Sequence, residues 1–101
     1  MKGPNGGTSY RSSGGPEGTR AASRELDIRG LETAEADAVV ENFISAAVMG
    51  RLETVTIIHG KGTGALRKAV HALLKRNRAV KSFRLGVYGE GESGVTVVTL
   101  K

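Results

Sequence analysis

The apolar residues from Glu25 onward alternate between two spacings, and that alternation restricts the fold more than any other feature of the chain. In ELDIRG, residues 25–30, Leu26 and Ile28 fall on one side and Asp27 and Arg29 on the other, the period of a half-buried strand that ends at Gly30. Ala36, Val39, Val40, Phe43, Ile44, Ala47 and Val48 then recur at three- and four-residue spacing. They predict a helix capped by Thr33, with Glu35 and Asp37 in its first turn and a stop at Gly50. TVTII, 54–58, reads as a second strand whose β-branched run suggests cover on both faces. Leu66, Ala69, Val70, Leu73 and Leu74 mark a second helix, Gly64 to Asn77, capped by Thr63. SFRLGVY, 82–88, and GVTVVTL, 94–100, are two more strands around the flexible loop GEGESG, 89–94.

The order is strand, helix, strand, helix, strand, strand. Two strand–helix–strand units set the first three strands parallel, and the final hairpin sets the last one antiparallel. Each helix carries one apolar stripe, so two helices on one face of a four-stranded mixed sheet use all the apolar surface. The expected fold is a two-layer α/β sandwich of order βαβαββ.

Residues 1–24 contain both prolines, six of the fifteen glycines and, after Met1, only Tyr10 as a large apolar residue. Such a segment buries too little to offset the entropy of ordering it, and we read it as a disordered linker or expression remnant before a domain spanning 25–101. A domain that opens on a strand in this way suggests a piece of a longer protein. Cysteine is absent, which excludes a disulfide frame, a thiolate metal site and a cysteine nucleophile; His59 and His71 alone cannot make a zinc site. There is no apolar run of bilayer length and no signal segment, so the expected setting is cytoplasmic, with no membrane partner.

The stretch HGKGTGALRKA, 59–69, follows the second strand directly. In parallel α/β sheets, ligands sit beyond the carboxyl ends of the strands, where helices begin. Gly60, Gly62 and Gly64 allow a tight turn and close approach to a ligand, and the amides opening the next helix attract phosphate. His59 and Lys61 lie within this turn, and Asp27 and Arg29 would neighbour it if the first two strands pair. Plainer roles exist for each group: glycines serve turns, a histidine caps a loop, and Asp27 and Arg29 make a surface ion pair. GKGTG lacks the Lys-Ser/Thr pair that ends a nucleotide P-loop. His71 falls on the second helix away from Ala69 and Leu73 and reads as a solvated residue.

Charge supports a polyanionic partner. The net charge is +5, and Thr54 to Gly89 holds eight basic residues (Lys61, Arg67, Lys68, Lys75, Arg76, Arg78, Lys81, Arg84) and no acid, whereas residues 25–53 hold seven acids and two basic residues. A cationic half continuous with the glycine turn predicts salt-sensitive, sequence-blind contact with DNA or RNA backbones. Gly60, Gly62, Thr63, Gly64, Arg67, Lys68, Lys75, Arg76, Arg78 and Arg84 are the expected binding residues. Aromatics are too few for a stacking surface, with Phe43 and Phe83 assigned to the core.

LDIRGL (26–31), HGKGTGALR (59–67), SFR (82–84) and GEGESGVTVVTL (89–100) resemble, in order and spacing, the small MutS-related (Smr) domain. The version most similar is the one at the C-terminus of the bacterial MutS paralogue that lacks mismatch recognition. The resemblance covers residues 25–101. It implies an endonuclease domain acting on DNA or RNA, with the sandwich seen in the C-terminal domain of translation initiation factor three. It also implies an upstream MutS-like ATPase in the parent protein, acting in suppression of recombination or rescue of ribosomes. The family's Asp-x-Arg or Asp-x-His motif maps to Asp27 and Arg29, and its His-Gly-x-Gly motif to His59, Gly60, Lys61 and Gly62. Many members carry histidine where this chain has Arg29, which removes one acid/base group.

On these residues His59 is the expected general acid or base, with Asp27 orienting it or sharing its proton and Arg29 and Lys61 stabilising charge on the phosphoryl transition state. One carboxylate speaks against a two-metal cage; a single Mg²⁺ or Mn²⁺ held by Asp27 and substrate is compatible, as is metal-free attack by an RNA 2′-hydroxyl. The alternative is a non-catalytic module that grips DNA or ribosomal RNA for the ATPase.

Overall fold

The computed structural model describes residues 23–89 and 91–101. Its elements are β1 (Glu25–Asp27), α1 (Thr33–Met49), β2 (Thr54–Ile58), α2 (Ala65–Arg76), β3 (Val80–Leu85) and β4 (Val95–Leu100), which is the expected order. The disordered segment expected over residues 1–24 lies, up to residue 22, outside the described residues. Arg24 already accepts a hydrogen bond from Thr56 N–H at 2.9 Å, so pairing with β2 begins one residue before β1.

The sheet order is β1-β2-β4-β3. β1 and β2 are parallel, and β4 runs antiparallel between β2 and β3. The period of two sorts the side chains: Leu26, Val55, Ile57, Val98 and Leu100 face the helices and join Val40, Phe43, Ile44, Val70, Leu73 and Leu74 in one core. A bulge between Val80 and Ser82 allows Val80 and Phe83 both to reach that side. The reverse face has no helix over it. Thr56 and Ile58 are half-buried there, so the β-branched run of β2 is covered fully on one face and in part on the other.

Other differences lie at element ends. Glu32, not Thr33, caps α1, and its N–H is held by the Glu35 carboxylate at 3.1 Å. Gly64 caps α2, while Thr63 Oγ1 accepts the Ala65 N–H at 3.3 Å. Val48 is exposed, one position around the helix from the fully buried Ala47. The loop read as flexible holds a 3₁₀ turn, Glu92–Gly94.

Candidate nucleic-acid interface

Because β1 and β2 are adjacent and parallel, their outgoing loops emerge side by side. An open cleft of ≈ 780 Å³ lies between residues 29–33 of one loop and 59–67 of the other, large enough for a nucleotide-sized group. The glycine turn is pinned from behind by the hairpin, since Gly94 O accepts both His59 N–H (3.1 Å) and Gly60 N–H (2.8 Å). Lys61 Nζ meets Glu92 Oε1 of the same hairpin at 3.4 Å, an exposed and salt-screened contact.

The turn needs two of its three glycines for different reasons. Gly60 adopts φ +82°, and a Cβ there would sit 3.2 Å from Arg29 Cγ; Gly64 adopts φ +89° beneath the Arg67 guanidinium. Gly62 has neither a positive φ nor a close neighbour. The first amides of α2 have no partner within the helix and open on the cleft, where its dipole favours an anion.

Arg29 is held by Asp27 in a fork: Nε to Oδ1 at 3.0 Å, Nη2 to Oδ2 at 2.7 Å, with the Arg29 N–H on Oδ1 at 3.0 Å. These bonds keep the Asp27 carboxyl below its ordinary pKa against a smaller opposing effect of burial, and raise that of Arg29. The fork leaves the Nη1 edge of Arg29 without a partner among the described residues, and Arg29 lines the cleft while Asp27 does not. The carboxylate thus aims the guanidinium.

His59 continues the Val55, Ile57 alternation onto the core side and is 4% exposed. Its Nδ1 is 2.9 Å from Gly60 O and its Nε2 is 2.8 Å from Thr96 Oγ1, so the orienting role expected of Asp27 toward the imidazole is filled by Gly60 and Thr96. The second imidazole meets the same hydroxyl, with His71 Nε2 also 2.8 Å from Thr96 Oγ1. His71 is therefore not a solvated residue. A step of about 100° per residue puts it one position around from Val70, at the edge of the apolar stripe, where it packs half-buried against Phe83 with ring centroids 4.8 Å apart. Burial, then the charges of His59, Arg67 and Lys75, hold its pKa below the ordinary value.

Donors and acceptors fix the direction of this chain. A carbonyl only accepts, so His59 Nδ1 carries a proton. In the neutral ring Nε2 is then the acceptor, the Thr96 hydroxyl donates to it, and Thr96 Oγ1 accepts His71 Nε2–H. Sequence reading missed Thr96 and His71. The signal for Thr96 was present: in GVTVVTL it shares the face of Val98 and Leu100, a polar group in an apolar row, and it is fully buried.

Of the expected residues, the cleft gathers Arg29, His59, Gly60, Lys61, Gly62, Thr63, Gly64 and Arg67. Lys68 follows on α2. Lys75 and Arg76 occupy the last turn of that helix and Arg78 lies beyond it, about 15 Å from the cleft at 1.5 Å per residue. Arg84, paired in register with Val97, belongs to the helix-free face. Among the described residues no three His, Asp or Glu side chains gather to hold a metal ion, and no helix is long and apolar enough to cross a membrane.

A family model described as the Smr domain matches residues 26–101. The chain belongs to the Smr domain family. Among relatives of this Smr domain is a protein named Endonuclease MutS2 from Clostridium novyi (strain NT), 50% identical over 82 residues that make up 81% of this chain and 10% of that protein. Another of the same name, from Ruminiclostridium cellulolyticum, is 54% identical over 79 residues, 78% of this chain and 10% of that protein. The chain spans about a tenth of the length of these curated relatives. The crystal structure of the Smr domain of Thermus thermophilus MutS2 superposes with a TM-score of 0.76 at 46% identity, covering 77% of this chain and 98% of that one. YdaL, a stand-alone small MutS-related protein from Escherichia coli, superposes with a TM-score of 0.74 at 27% identity, covering 77% of this chain and 64% of that one. The two helices and four-stranded mixed sheet are thus those of the Smr fold, in a domain homologous to part of proteins named endonucleases.

Proposed function

We propose that this Smr domain binds the sugar-phosphate backbone of DNA or RNA in the cleft and cleaves it as an endonuclease without strong sequence preference. The observation that carries the reading is the convergence on one open cleft of Arg29, Lys61, Arg67 and the α2 amides around a hydrogen-bonded imidazole. Two guanidiniums and oriented amides match a phosphoryl group that gains charge as it reacts, and such donors act without reorganising. Asp27 serves by holding Arg29. The wetter side of His59, its Nδ1–H on Gly60 O, is the proton donor for the leaving oxygen. A divalent cation brought with the substrate would meet an Asp27 carboxylate already held by Arg29. In a longer parent protein the domain would act beside a MutS-like ATPase in the cytoplasm, in recombination control or ribosome rescue.

The test is incubation with plasmid and with structured RNA, with and without EDTA, for wild type, Arg29→Ala and His59→Ala. Wild type cuts, Arg29→Ala binds and cuts weakly, and His59→Ala does not cut. If wild type and His59→Ala bind and are equally inert on both polymers, the non-catalytic DNA or ribosomal RNA module takes the place of the nuclease.

A further inference from the structure

We infer that Thr96 and His71 form a proton path that resupplies His59 from solvent during backbone cleavage, making both of them positioning residues of the site; this rests on the nuclease reading above. The geometry is a three-group chain on one hydroxyl: His71 Nε2 and His59 Nε2 each lie 2.8 Å from Thr96 Oγ1, and His59 Nδ1 lies 2.9 Å from Gly60 O at the cleft. Thr96 is fully buried, and His59 reaches the surface only at the cleft, which bound nucleic acid covers, while His71 is half-buried on the other side, so in the complex the His71 end of the chain is the one that meets water. Its Nδ1 has no hydrogen bond among the described residues.

Water attacks phosphorus and releases a proton to solvent as the P–O bond to the leaving oxygen breaks, and His59 gives its Nδ1 proton to that oxygen. Thr96 passes its hydroxyl proton to His59 Nε2 and takes the Nε2 proton of His71, whose Nδ1 takes one from water. The proton shed by the attacking water offsets the one drawn from solvent at His71, so one water is consumed per bond cut. Thr96 is unchanged, and both rings are neutral in the other tautomer, which the same chain run in reverse resets once product leaves and His59 Nδ1 regains a proton from the cleft. Burial, then the charges of His59, Arg67 and Lys75, disfavour an imidazolium at His71. Shape alone does not call for threonine at this position, since valine is nearly isosteric and would leave the apolar row unbroken; the hydroxyl is there for the two imidazoles.

The experiment pairs imidazole nitrogen NMR, at a pH where both rings are neutral, with single-turnover cleavage at saturating nucleic acid. In wild type His59 is found protonated at Nδ1 and His71 at Nε2. Thr96→Val and His71→Gln keep the fold and the binding affinity but cut at least tenfold more slowly, and Thr96→Ser stays within about threefold of wild type. In Thr96→Val the His71 tautomer is no longer fixed at Nε2. A wild type that cuts while His59 is protonated at Nε2, or a folded Thr96→Val or His71→Gln that cuts at the wild-type rate, overturns the path and spares the nuclease. A wild type that shows both expected tautomers, binds and never cuts overturns the nuclease, and the path's role in cleavage with it.

Discussion

The imidazole of His59 and the hydroxyl of Thr96 meet at 2.8 Å from positions 37 apart in the chain, tying the end of β2 to its antiparallel neighbour β4 at the cleft. Together with the two hydrogen bonds on Gly94 O, this contact sets how the glycine turn leaves the sheet. It fixes the ring that in turn holds the Gly60 carbonyl, at the residue whose φ of +82° starts the turn.

Removing that hydroxyl therefore costs stability as well as rate. Thr96→Val leaves the buried Nε2 of His59 and the half-buried Nε2 of His71 without their partner, a loss of about 1–3 kcal/mol. Thr96→Ser keeps the hydroxyl and loses only a methyl group, about 1 kcal/mol. Urea unfolding of the three proteins by circular dichroism ranks them; a Val variant as stable as wild type would show that the hydrogen bonds add nothing net.

Two of the three glycines of the turn separate in the same kind of measurement. Gly64→Ala forces an alanine to φ +89° and places its Cβ 2.9 Å from Arg67 Nη2, so it costs about 1–2 kcal/mol of backbone strain and displaces a guanidinium from the cleft. Gly62→Ala meets nothing within 4 Å at a φ open to any residue, and leaves stability within about 0.5 kcal/mol of wild type. Equal effects of the two changes on melting and on nucleic-acid affinity would contradict this assignment.

Stability falls on the acid side of neutrality. His71 has a folded pKa below its ordinary 6.5, so the unfolded chain binds more protons in the window beneath that value, and stability falls as pH drops from 6.5 toward the folded pKa. Asp27 acts lower: its folded pKa lies below 3.8, so its contribution is present above 3.8 and is lost as pH falls through the folded value. Urea midpoints from pH 8 to pH 5 decline for wild type and decline less for His71→Gln. An identical slope for both proteins removes His71 as the source.

The period of the apolar residues was enough to read the order of elements, the two layers and the strand ends that form the cleft, because burial on one face imposes that period on each element. It was silent on β4 running between β2 and β3, since hairpin and crossover rules permit more than one order. The gathering of Arg29, Lys61 and Arg67 was legible for a related reason: residues at the ends of adjacent parallel strands must be neighbours. Asp27 and His59 lie at those same ends, yet alternation sends the carboxylate to the helix-free face and the imidazole toward the helices, a consequence the linear spacing contains but a motif reading passes over. His71 sits at a phase boundary on α2, where about 100° decides between solvent and sheet, and only the placement of β3 and β4 resolves it.

The cations of α2 divide into two groups by distance, and salt dependence distinguishes them. Arg67 arches over Gly64 in the cleft, whereas Lys75, Arg76 and Arg78 lie about 15 Å away at the far end of the helix, beyond the reach of one phosphate but within that of the next few along a strand. Each lost phosphate contact lowers the slope of log affinity against log salt by about 0.7–0.9. Changing Lys75, Arg76 and Arg78 together to alanine weakens binding and flattens that slope by about two contacts, while the single-turnover rate at saturating nucleic acid stays at the wild-type value. Arg67→Ala flattens the slope by about one contact and, on the proposed nuclease reading, also slows cleavage, because its guanidinium lines the cleft that takes the phosphate. Fluorescence anisotropy across a salt series, followed by the single-turnover assay, measures both quantities. A triple variant with an unchanged slope would mean that the bound strand does not run along α2, and one that slows cleavage at saturation would place the far end of the helix in the chemistry.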